Sequence, residues 1–297
     1  AEQISLLLGP GVNIKRSPLA GRNFEYFSED PYLTGEMGVA YVNGVQSQHV
    51  GVSVKHFAAN NRENQRFTAS SDVDERSLRE IYLAAFKKIV KKAAPATLMC
   101  SYNALNGTLN SQNHWLLTDV LRQEWGFDGL VMSDWGAVAD HTAAIKAGLD
   151  LEMPGKGAES EQEIIDAVHD GTLDEHQLDN SVRRVLRTVH QWPAPESSMD
   201  YDLEEQHQFA RQLAANSMVL LKNKNQTLPI DRNETVAVLG ELAVKPRFQG
   251  GGSSHVNAYR VSIPYDEISQ RSNAIYGQGY QLADETTHEA LIEQALE

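Results

Sequence analysis

The 297-residue sequence contains one cysteine, Cys100, and this scarcity excludes several kinds of structure. A single thiol cannot form an intramolecular disulfide, and it cannot supply a multi-cysteine metal site. Nothing in the cysteine content therefore requires an oxidising compartment. Because its neighbours Leu98 and Met99 are apolar, we expect Cys100 to be a buried, unreactive thiol.

Positive charge is also scarce, since 26 lysines and arginines face 40 aspartates and glutamates, which gives a formal net charge of −14. So acidic a chain is not expected to bind nucleic acid or an anionic membrane surface, and a neutral small ligand suits it better. No apolar run approaches the ~18 residues of a membrane span, and residues 1–10 lack the features of a signal peptide. Between cytoplasm and secretion we favour the cytoplasm, and a homo-oligomer is compatible with the sequence.

The chain does contain an alternation of strand and helix patterns. Apolar runs typical of buried strands precede turn residues and then apolar residues at helical spacing, which predicts parallel β/α units. The strands are predicted at residues 4–8, 52–57, 97–102, 130–134 and 149–153. The helices are predicted at residues 35–46, 75–92, 117–125, 137–147 and 176–191.

The composition changes at a Pro- and Ser-rich stretch, residues 192–202, which we interpret as a linker. A helix at 204–216, a strand at 235–239 and a helix from residue 289 indicate that a second α/β unit begins beyond it. The predicted domains are therefore 1–191 and 203–297. Five strands in the first domain are fewer than the eight of a closed barrel, so we expect a fragment that lacks N-terminal strands and is also truncated at its C-terminus.

Polar residues recur at or just beyond the ends of the predicted strands: Arg22, Lys55, His56, Arg66, Tyr102, Asp134 and Trp135. In a parallel sheet these side chains would converge on one rim, where nearby cations would keep Asp134 ionised, as a nucleophile requires. Each residue also has a structural interpretation. Asp134 could cap the following helix, Lys55 could be an ion-pair partner, and Tyr102 could belong to the core.

Other signals predict little chemistry. Asp150 and Glu152 end the fifth predicted strand, and we expect a structural role in which one of them binds a neighbouring cation. The glycine run that begins at Gly250 lacks the Lys-Ser/Thr ending of a phosphate-binding loop and is interpreted as a flexible loop. Because the histidines and carboxylates show no metal-ligand spacing, we expect no metal and no cofactor.

Several longer motifs resemble a known family. Residues 13–31 (NIKRSPLAGRNFEYFSEDP), 55–61 (KHFAANN), 131–137 (VMSDWGA) and 250–256 (GGGSSHV) closely resemble glycoside hydrolase family 3, in particular its β-glucosidases. The N-acetylglucosaminidase branch of that family has a Pro-Gly-His loop after Lys-His-Phe, where this chain has Ala-Ala-Asn-Asn. The resemblance therefore favours the glucosidases.

The resemblance implies a fold and a set of roles. The fold would be a partial (β/α)8 TIM-type barrel followed by the start of an α/β/α sandwich. Asp134 would be the nucleophile, and Trp135 would line its pocket. The remaining residues would bind the sugar or support the nucleophile: Arg22, Lys55, His56, Arg66, Tyr102 and, near the pocket mouth on the second domain, Ser253 and Ser254.

Two departures from the family pattern qualify this comparison. The Asp-Gly-Pro motif of the family's first strands is not found. The setting of the family's acid/base glutamate is matched nowhere up to Glu297, so we expect that residue to lie beyond the end of this sequence.

The resemblance implies a retaining exo-β-glucosidase acting on small β-glucosides or oligosaccharides. The alternatives are a β-xylosidase or transglycosylase of the same family. From other classes, Lys55 could form a Schiff base in a barrel lyase, or the fragment could bind sugar without cleaving it.

Overall fold

The computed structural model describes residues 4–194 and 201–297 of the chain, which form two units, Ala1–Ser198 and Met199–Glu297. Residues 195–200 of the predicted linker lie outside the described residues. The linker and the domain boundaries derived from it stay predictions.

The first unit alternates strands with helices. In chain order its elements are β1 (Leu6–Leu7), α1 (Pro31–Gln46), β2 (Gly51–Phe57), β3 (Ser70–Ser71), α2 (Glu75–Ser77), a π-helical turn (Leu78–Tyr82), α3 (Ala84–Ala93), β4 (Thr97–Cys100), β5 (Ala104–Leu105), β6 (Thr108–Leu109), a 3₁₀ turn (Asn110–Gln112), a π-helix (Trp115–Glu124), β7 (Leu130–Ser133), α4 (His141–Ala147), α5 (Ala158–His169) and α6 (Glu175–Gln191).

The main sheet has four strands in the order β1-β2-β4-β7, and every neighbouring pair is parallel. Cys100 at the end of β4 pairs with Phe57 at the end of β2 and with Ser133 at the end of β7. These three strands therefore finish level with one another at one edge of the sheet. The prediction of parallel β/α units is confirmed.

Both faces of the sheet are covered, which explains the unbroken apolar run of β7. Val131 belongs to the main core, where Phe57 and Phe86 also lie, whereas Leu130 and Met132 belong to a separate cluster on the opposite face. A strand buried on both faces has to be apolar at every position, as this sequence is.

Cys100 is fully buried and makes no disulfide. Burial raises the pKa of its thiol to about 12. The thiolate, which is the reactive form, is therefore disfavoured, and the prediction that the thiol is buried is confirmed.

Some predicted boundaries were wrong. The fifth predicted strand, 149–153, makes only a single bridge, between Leu151 and Met132. The helix predicted from residue 137 begins at His141, because Asp140 caps it by accepting from the backbone N–H of Ala143 at 2.7 Å. The cap of α4 is thus Asp140 and not Asp134. Helix α5 was not predicted.

The second unit contains α7 (Leu203–Asn216), a 3₁₀ turn (Lys224–Gln226), β8 (Thr235–Leu239), two more 3₁₀ turns (Glu241–Ala243 and Gly252–Ser254), α8 (Pro264–Ser269), β9 (Asn273–Gly277) and α9 (Glu289–Leu296). Strands β8 and β9 pair in parallel. Among the described residues of the two units, no helix combines the length and the apolar character needed to cross a bilayer.

Asp150 links several elements of the first unit through buried contacts. Its side chain is completely buried and accepts from Arg122 at 2.6 Å, from Arg184 at 2.9 Å and from the backbone N–H of Val131 at 2.8 Å. The π-helix, α6 and β7 thus meet at one carboxylate. The prediction that Asp150 or Glu152 binds a cation is confirmed.

Asp150→Asn should destabilise the chain by about 3–5 kcal/mol, because it leaves buried guanidinium charge without its partner. The measurement is the free energy of unfolding from urea titrations. Asp179→Asn is the matched control, since Asp179 pairs with Arg183 at 3.0 Å on an exposed helix surface. It should change stability by about 0.5 kcal/mol or less. Equal losses in the two variants would contradict this account.

Candidate active site

The level ends of the strands place the predicted site residues at one edge of the sheet. The backbone N–H of Asp134, just after β7, donates to the carbonyl of Cys100 at 3.2 Å. The N–H of Ser101, just after β4, donates to the carbonyl of Phe57 at 2.8 Å. Backbone hydrogen bonds therefore hold this edge in register beyond the strands themselves.

Asp134 has one occupied and one unoccupied carboxylate oxygen. The residue is 7% exposed, and its Oδ1 accepts from the backbone N–H of Trp135 at 2.8 Å. Its Oδ2 is buried and has no hydrogen-bond partner within the described parts of the chain. His56 Nε2 lies 3.6 Å from Oδ2 and Arg22 Nη1 lies 3.9 Å from it. A carboxylate oxygen is thus left with free lone pairs beside two potential hydrogen-bond donors.

Glu25 joins two of the cations. Arg22 Nε donates to Glu25 Oε1, and Lys55 Nζ lies 3.5 Å from Glu25 Oε2. Burial lowers the pKa of Arg22, but the hydrogen bond to Glu25 and neighbouring negative charge outweigh it, so the pKa is raised. Arg22 therefore remains a fixed positive charge beside Asp134.

Arg66 and Tyr102 form a second pair at the edge. The Arg66 guanidinium carbon lies 4.4 Å from the Tyr102 ring centroid, and Arg66 Nη1 donates to Glu63 at 2.7 Å. Burial and the negative charge of Asp134 raise the pKa of Tyr102 to about 12. Tyr102 therefore keeps its proton and can act as a hydrogen-bond donor near Asp134.

His56 is buried, and both its backbone and its ring contact polar side chains. The residue is 1% exposed, and its backbone N–H and C=O bond to the Asn13 side-chain amide at 2.8 and 2.9 Å. Its ring Nδ1 lies 3.2 Å from the Tyr26 hydroxyl. Burial, together with the positive charges of Arg22, Lys55 and Arg66, lowers the pKa of His56 well below 6.5. The ring is therefore neutral at physiological pH.

Trp135 directly follows Asp134, and 44% of its surface is exposed. The chain turns directly after it at Gly136, whose φ of +78° lies in the left-handed region that glycine adopts readily. The turn lets the Gly136 N–H donate to the carbonyl of Met153 at 2.9 Å. An exposed indole thus follows the buried carboxylate.

The structure therefore brings Arg22, His56 and Tyr102 to Asp134 directly. Lys55 is linked to that group through Glu25, and Arg66 through Tyr102. Sequence reasoning missed the residues that support them, which are Asn13, Glu25, Tyr26 and Glu63. Asn13, Glu25 and Tyr26 lie within the family-like motif at residues 13–31, and that motif was the available sequence signal.

Ser253 and Ser254 lie in the last 3₁₀ turn of the second unit before α8. Ser254 Oγ donates to the carbonyl of Gly251 at 2.8 Å. Their contribution to the site stays a prediction. Across the described ranges of both units, no group of three or more His, Cys, Asp or Glu side chains is arranged to hold a metal ion.

Comparison with known families gives two matches along the chain. The sequence model described as Glycosyl hydrolase family 3 N terminal domain matches residues 1–188. The model described as Glycosyl hydrolase family 3 C-terminal domain matches residues 218–296. Together they cover most of the sequence.

Similar proteins carry glycosidase names. Thermostable beta-glucosidase B of Acetivibrio thermocellus is 50% identical over 99% of this chain and 40% of its own length. An exo-alpha-(1->6)-L-arabinopyranosidase of Bifidobacterium longum is 46% identical over 100% of this chain and 40% of its own length. The chain thus spans about two fifths of the length of these relatives.

A solved structure, beta-glucosidase 3B from Thermotoga neapolitana in complex with glucose, superimposes with a TM-score of 0.85 at 40% sequence identity. The match covers 98% of this chain and 40% of that one. The fold described above is therefore shared with a glucose-bound protein.

His56 should make stability depend on pH in one direction. The unfolded chain binds a proton at His56 as the pH falls through 6.5, whereas the buried folded ring does not. Below that pH the unfolded state binds more protons, so stability should fall by up to about 1.4 kcal/mol per pH unit. Above pH 6.5 this contribution should be constant.

The measurement is the free energy of unfolding of wild type and His56→Asn at a series of pH values. The difference between the two proteins should shrink as the pH is lowered through this range, because only wild type loses stability at His56. Parallel curves would contradict the account of a neutral, buried ring.

Proposed function

The chain belongs to glycosyl hydrolase family 3, and from this we propose that it acts as a β-glucosidase that removes terminal non-reducing β-D-glucosyl residues from small β-glucosides or oligosaccharides. The observation that carries the proposal is the free Oδ2 of Asp134 at the strand edge, surrounded by hydrogen-bond donors. The names of its relatives support it.

The charges of the edge suit a neutral ligand. Its three cations, Arg22, Lys55 and Arg66, are matched by three carboxylates, Glu25, Glu63 and Asp134. With His56 neutral, the side chains cancel in charge while still offering several N–H donors. A sugar presents hydroxyl groups and no charge, and bidentate donors of this kind can bind its vicinal hydroxyls.

In the proposed mechanism Asp134 Oδ2 attacks the anomeric carbon while the bond from that carbon to the aglycone oxygen breaks, and the aglycone leaves as an alcohol with a proton from a general acid. Water then hydrolyses the covalent glycosyl-enzyme, which releases the sugar with retention of configuration and restores the Asp134 carboxylate. Arg22 and His56 act as donors to sugar hydroxyls, and they stabilise the oxocarbenium-like transition state more than the ground state. Lys55, Arg66 and Tyr102 extend this set of donors. The exposed Trp135 indole offers an apolar surface for one face of the sugar.

A retaining glycosidase also needs a protonated carboxyl about 5–5.5 Å from the nucleophile. Glu25 does not suit that role, because it is engaged by Arg22 and Lys55 and an acid has to hold a proton. We assign it the task of fixing those two cations. Lys55 thus has a structural role as an ion-pair partner of Glu25, and the alternative of a Schiff-base lyase does not explain this ion pair.

At the level of architecture, we propose that the first unit is part of a (β/α)8 barrel and the second part of an α/β sandwich. The parallel β1-β2-β4-β7 sheet supports the first assignment, and the parallel β8-β9 pair supports the second. In this proposal residues 192–202 are the linker between the two domains.

A second candidate is a pentopyranosidase. One relative is named an arabinopyranosidase, and xylosidase activity differs from glucosidase activity by contacts to a single hydroxymethyl group. Losing one methylene contact in an apolar pocket is worth about 10–200-fold in kcat/KM, and losing a hydrogen bond to the hydroxyl is worth more, so the candidates can be separated.

The first prediction concerns the nucleophile. Asp134→Asn should reduce kcat for a nitrophenyl β-glucoside by at least about 10³-fold, because the amide cannot form the intermediate. Asp128→Asn is the matched control, since Asp128 lies just before the same strand and pairs with Arg187 at 2.5 Å on the surface. It should retain activity. Comparable losses in both variants would contradict the assignment of Asp134.

The second prediction concerns the substrate. Among nitrophenyl β-D-glucopyranoside, β-D-xylopyranoside and α-L-arabinopyranoside, the glucoside should have a kcat/KM at least about tenfold above the others. The measurement is initial-rate kinetics with all three substrates. A preference for either pentoside would replace the glucosidase proposal with the pentopyranosidase.

A further inference from the structure

Tyr26 makes a buried contact that the proposed mechanism does not use. The residue is 4% exposed, and its hydroxyl lies 3.2 Å from Nδ1 of His56. The two rings meet edge to face with centroids 6.1 Å apart. The hydroxyl is also 3.5 Å from the carbonyl of Asn60, which is the longer contact.

The position of the Tyr26 ring is fixed from the other side by the backbone. A Cβ at Gly11 would lie 2.9 Å from Cδ1 of Tyr26, so the ring packs directly on this glycine. Gly11 itself bridges in parallel to Lys55, the residue before His56. The tyrosine is therefore held between two segments and cannot turn its hydroxyl away from His56 without moving one of them.

The other ring nitrogen of His56 decides the direction of this hydrogen bond. Nε2 faces Asp134 Oδ2 at 3.6 Å, beyond a hydrogen bond but close enough for strong electrostatic interaction. A proton on Nε2 is attracted to that carboxylate, whereas a lone pair on Nε2 would be repelled by it. A neutral imidazole carries one proton, so Nδ1 is then the acceptor.

We propose that Tyr26 is a positioning residue that donates its hydroxyl proton to Nδ1 of His56 and so holds His56 in the Nε2–H tautomer. The one proton of the ring is thereby directed toward Asp134 and the proposed sugar. This consequence for catalysis rests on the proposed function, whereas the tautomer itself does not.

The surroundings of His56 keep the ring in its neutral form, as the tautomer requires. The charged groups that face it are Arg22, Lys55 and Arg66 together with Asp134. The three cations and burial oppose protonation of the ring. Without the Tyr26 donor, the reversed tautomer would no longer lose a hydrogen bond at Nδ1.

The direct test is nuclear magnetic resonance of protein labelled with ¹⁵N-histidine, with His56 assigned by the signals lost in His56→Asn. In wild type, Nε2 should show the shift of a protonated, pyrrole-type nitrogen and Nδ1 that of an unprotonated, hydrogen-bonded one. In Tyr26→Phe, Nδ1 should move toward the shift of a free nitrogen or become partly protonated. Tyr82→Phe is the matched control, because its hydroxyl accepts from Arg16 at 3.2 Å and not from the site.

The kinetic companion measurement is kcat/KM for the nitrophenyl glucoside. Tyr26→Phe should lose about three- to tenfold, the worth of one hydrogen bond, and Tyr82→Phe should lose nothing. A wild-type ring protonated on Nδ1 would overturn the proposal, and so would unchanged His56 signals in Tyr26→Phe. Both results are read without turnover, so they are separate from any failure of the glucosidase proposal.

Discussion

The parallel register of β2, β4 and β7 is the constraint on which the site depends. Because Cys100 is paired with both Phe57 and Ser133, the three strands end at the same level. The residues that follow or close these strands, among them His56, Tyr102 and Asp134, are consequently neighbours, although they are far apart in the sequence. A slip of one residue in any strand would turn its side chains to the other face and dismantle the group.

At that edge the charged side chains are paired so that one carboxylate oxygen, Oδ2 of Asp134, stays available to a ligand. Glu25 accepts from Arg22, and Glu63 accepts from Arg66. The backbone N–H of Trp135 donates to Oδ1 of Asp134, but Oδ2 has no hydrogen-bond partner in the described structure. An unsatisfied buried oxygen costs free energy, and such a cost is expected where a group is kept for chemistry, which is the role that we propose for Asp134. Asp150, by contrast, has a completely buried side chain that is fully engaged by hydrogen bonds, as expected of a structural carboxylate.

The sequence predicted β7 and the carboxylate that follows it well because both have a local signal. An apolar run that is buried on both faces identifies β7, and the polar residue directly after it identifies Asp134. The supporting residues were harder to predict because their contacts are long-range. Asn13 binds the backbone of His56 across 43 positions, and Tyr26 reaches its ring across 30. No local sequence pattern predicts such a long-range contact.

Other errors have simple physical causes. The alanines after Gly136 favour a helix, but the turn there and the cap at Asp140 delay it to His141. Helix α5 begins with a polar stretch after Gly157, and its buried residues Ile164 and Ala167 come late, so no apolar period marked its start.

Peptide mapping after incubation with a 2-deoxy-2-fluoro-β-glucoside that carries a dinitrophenolate leaving group would identify the nucleophile. That leaving group departs without a proton, so the result reports on the nucleophile alone. We expect one fluoroglucosyl group per chain, attached to Asp134. Attachment to Glu25, Glu63 or any other residue, with Asp134 unmodified, would contradict it.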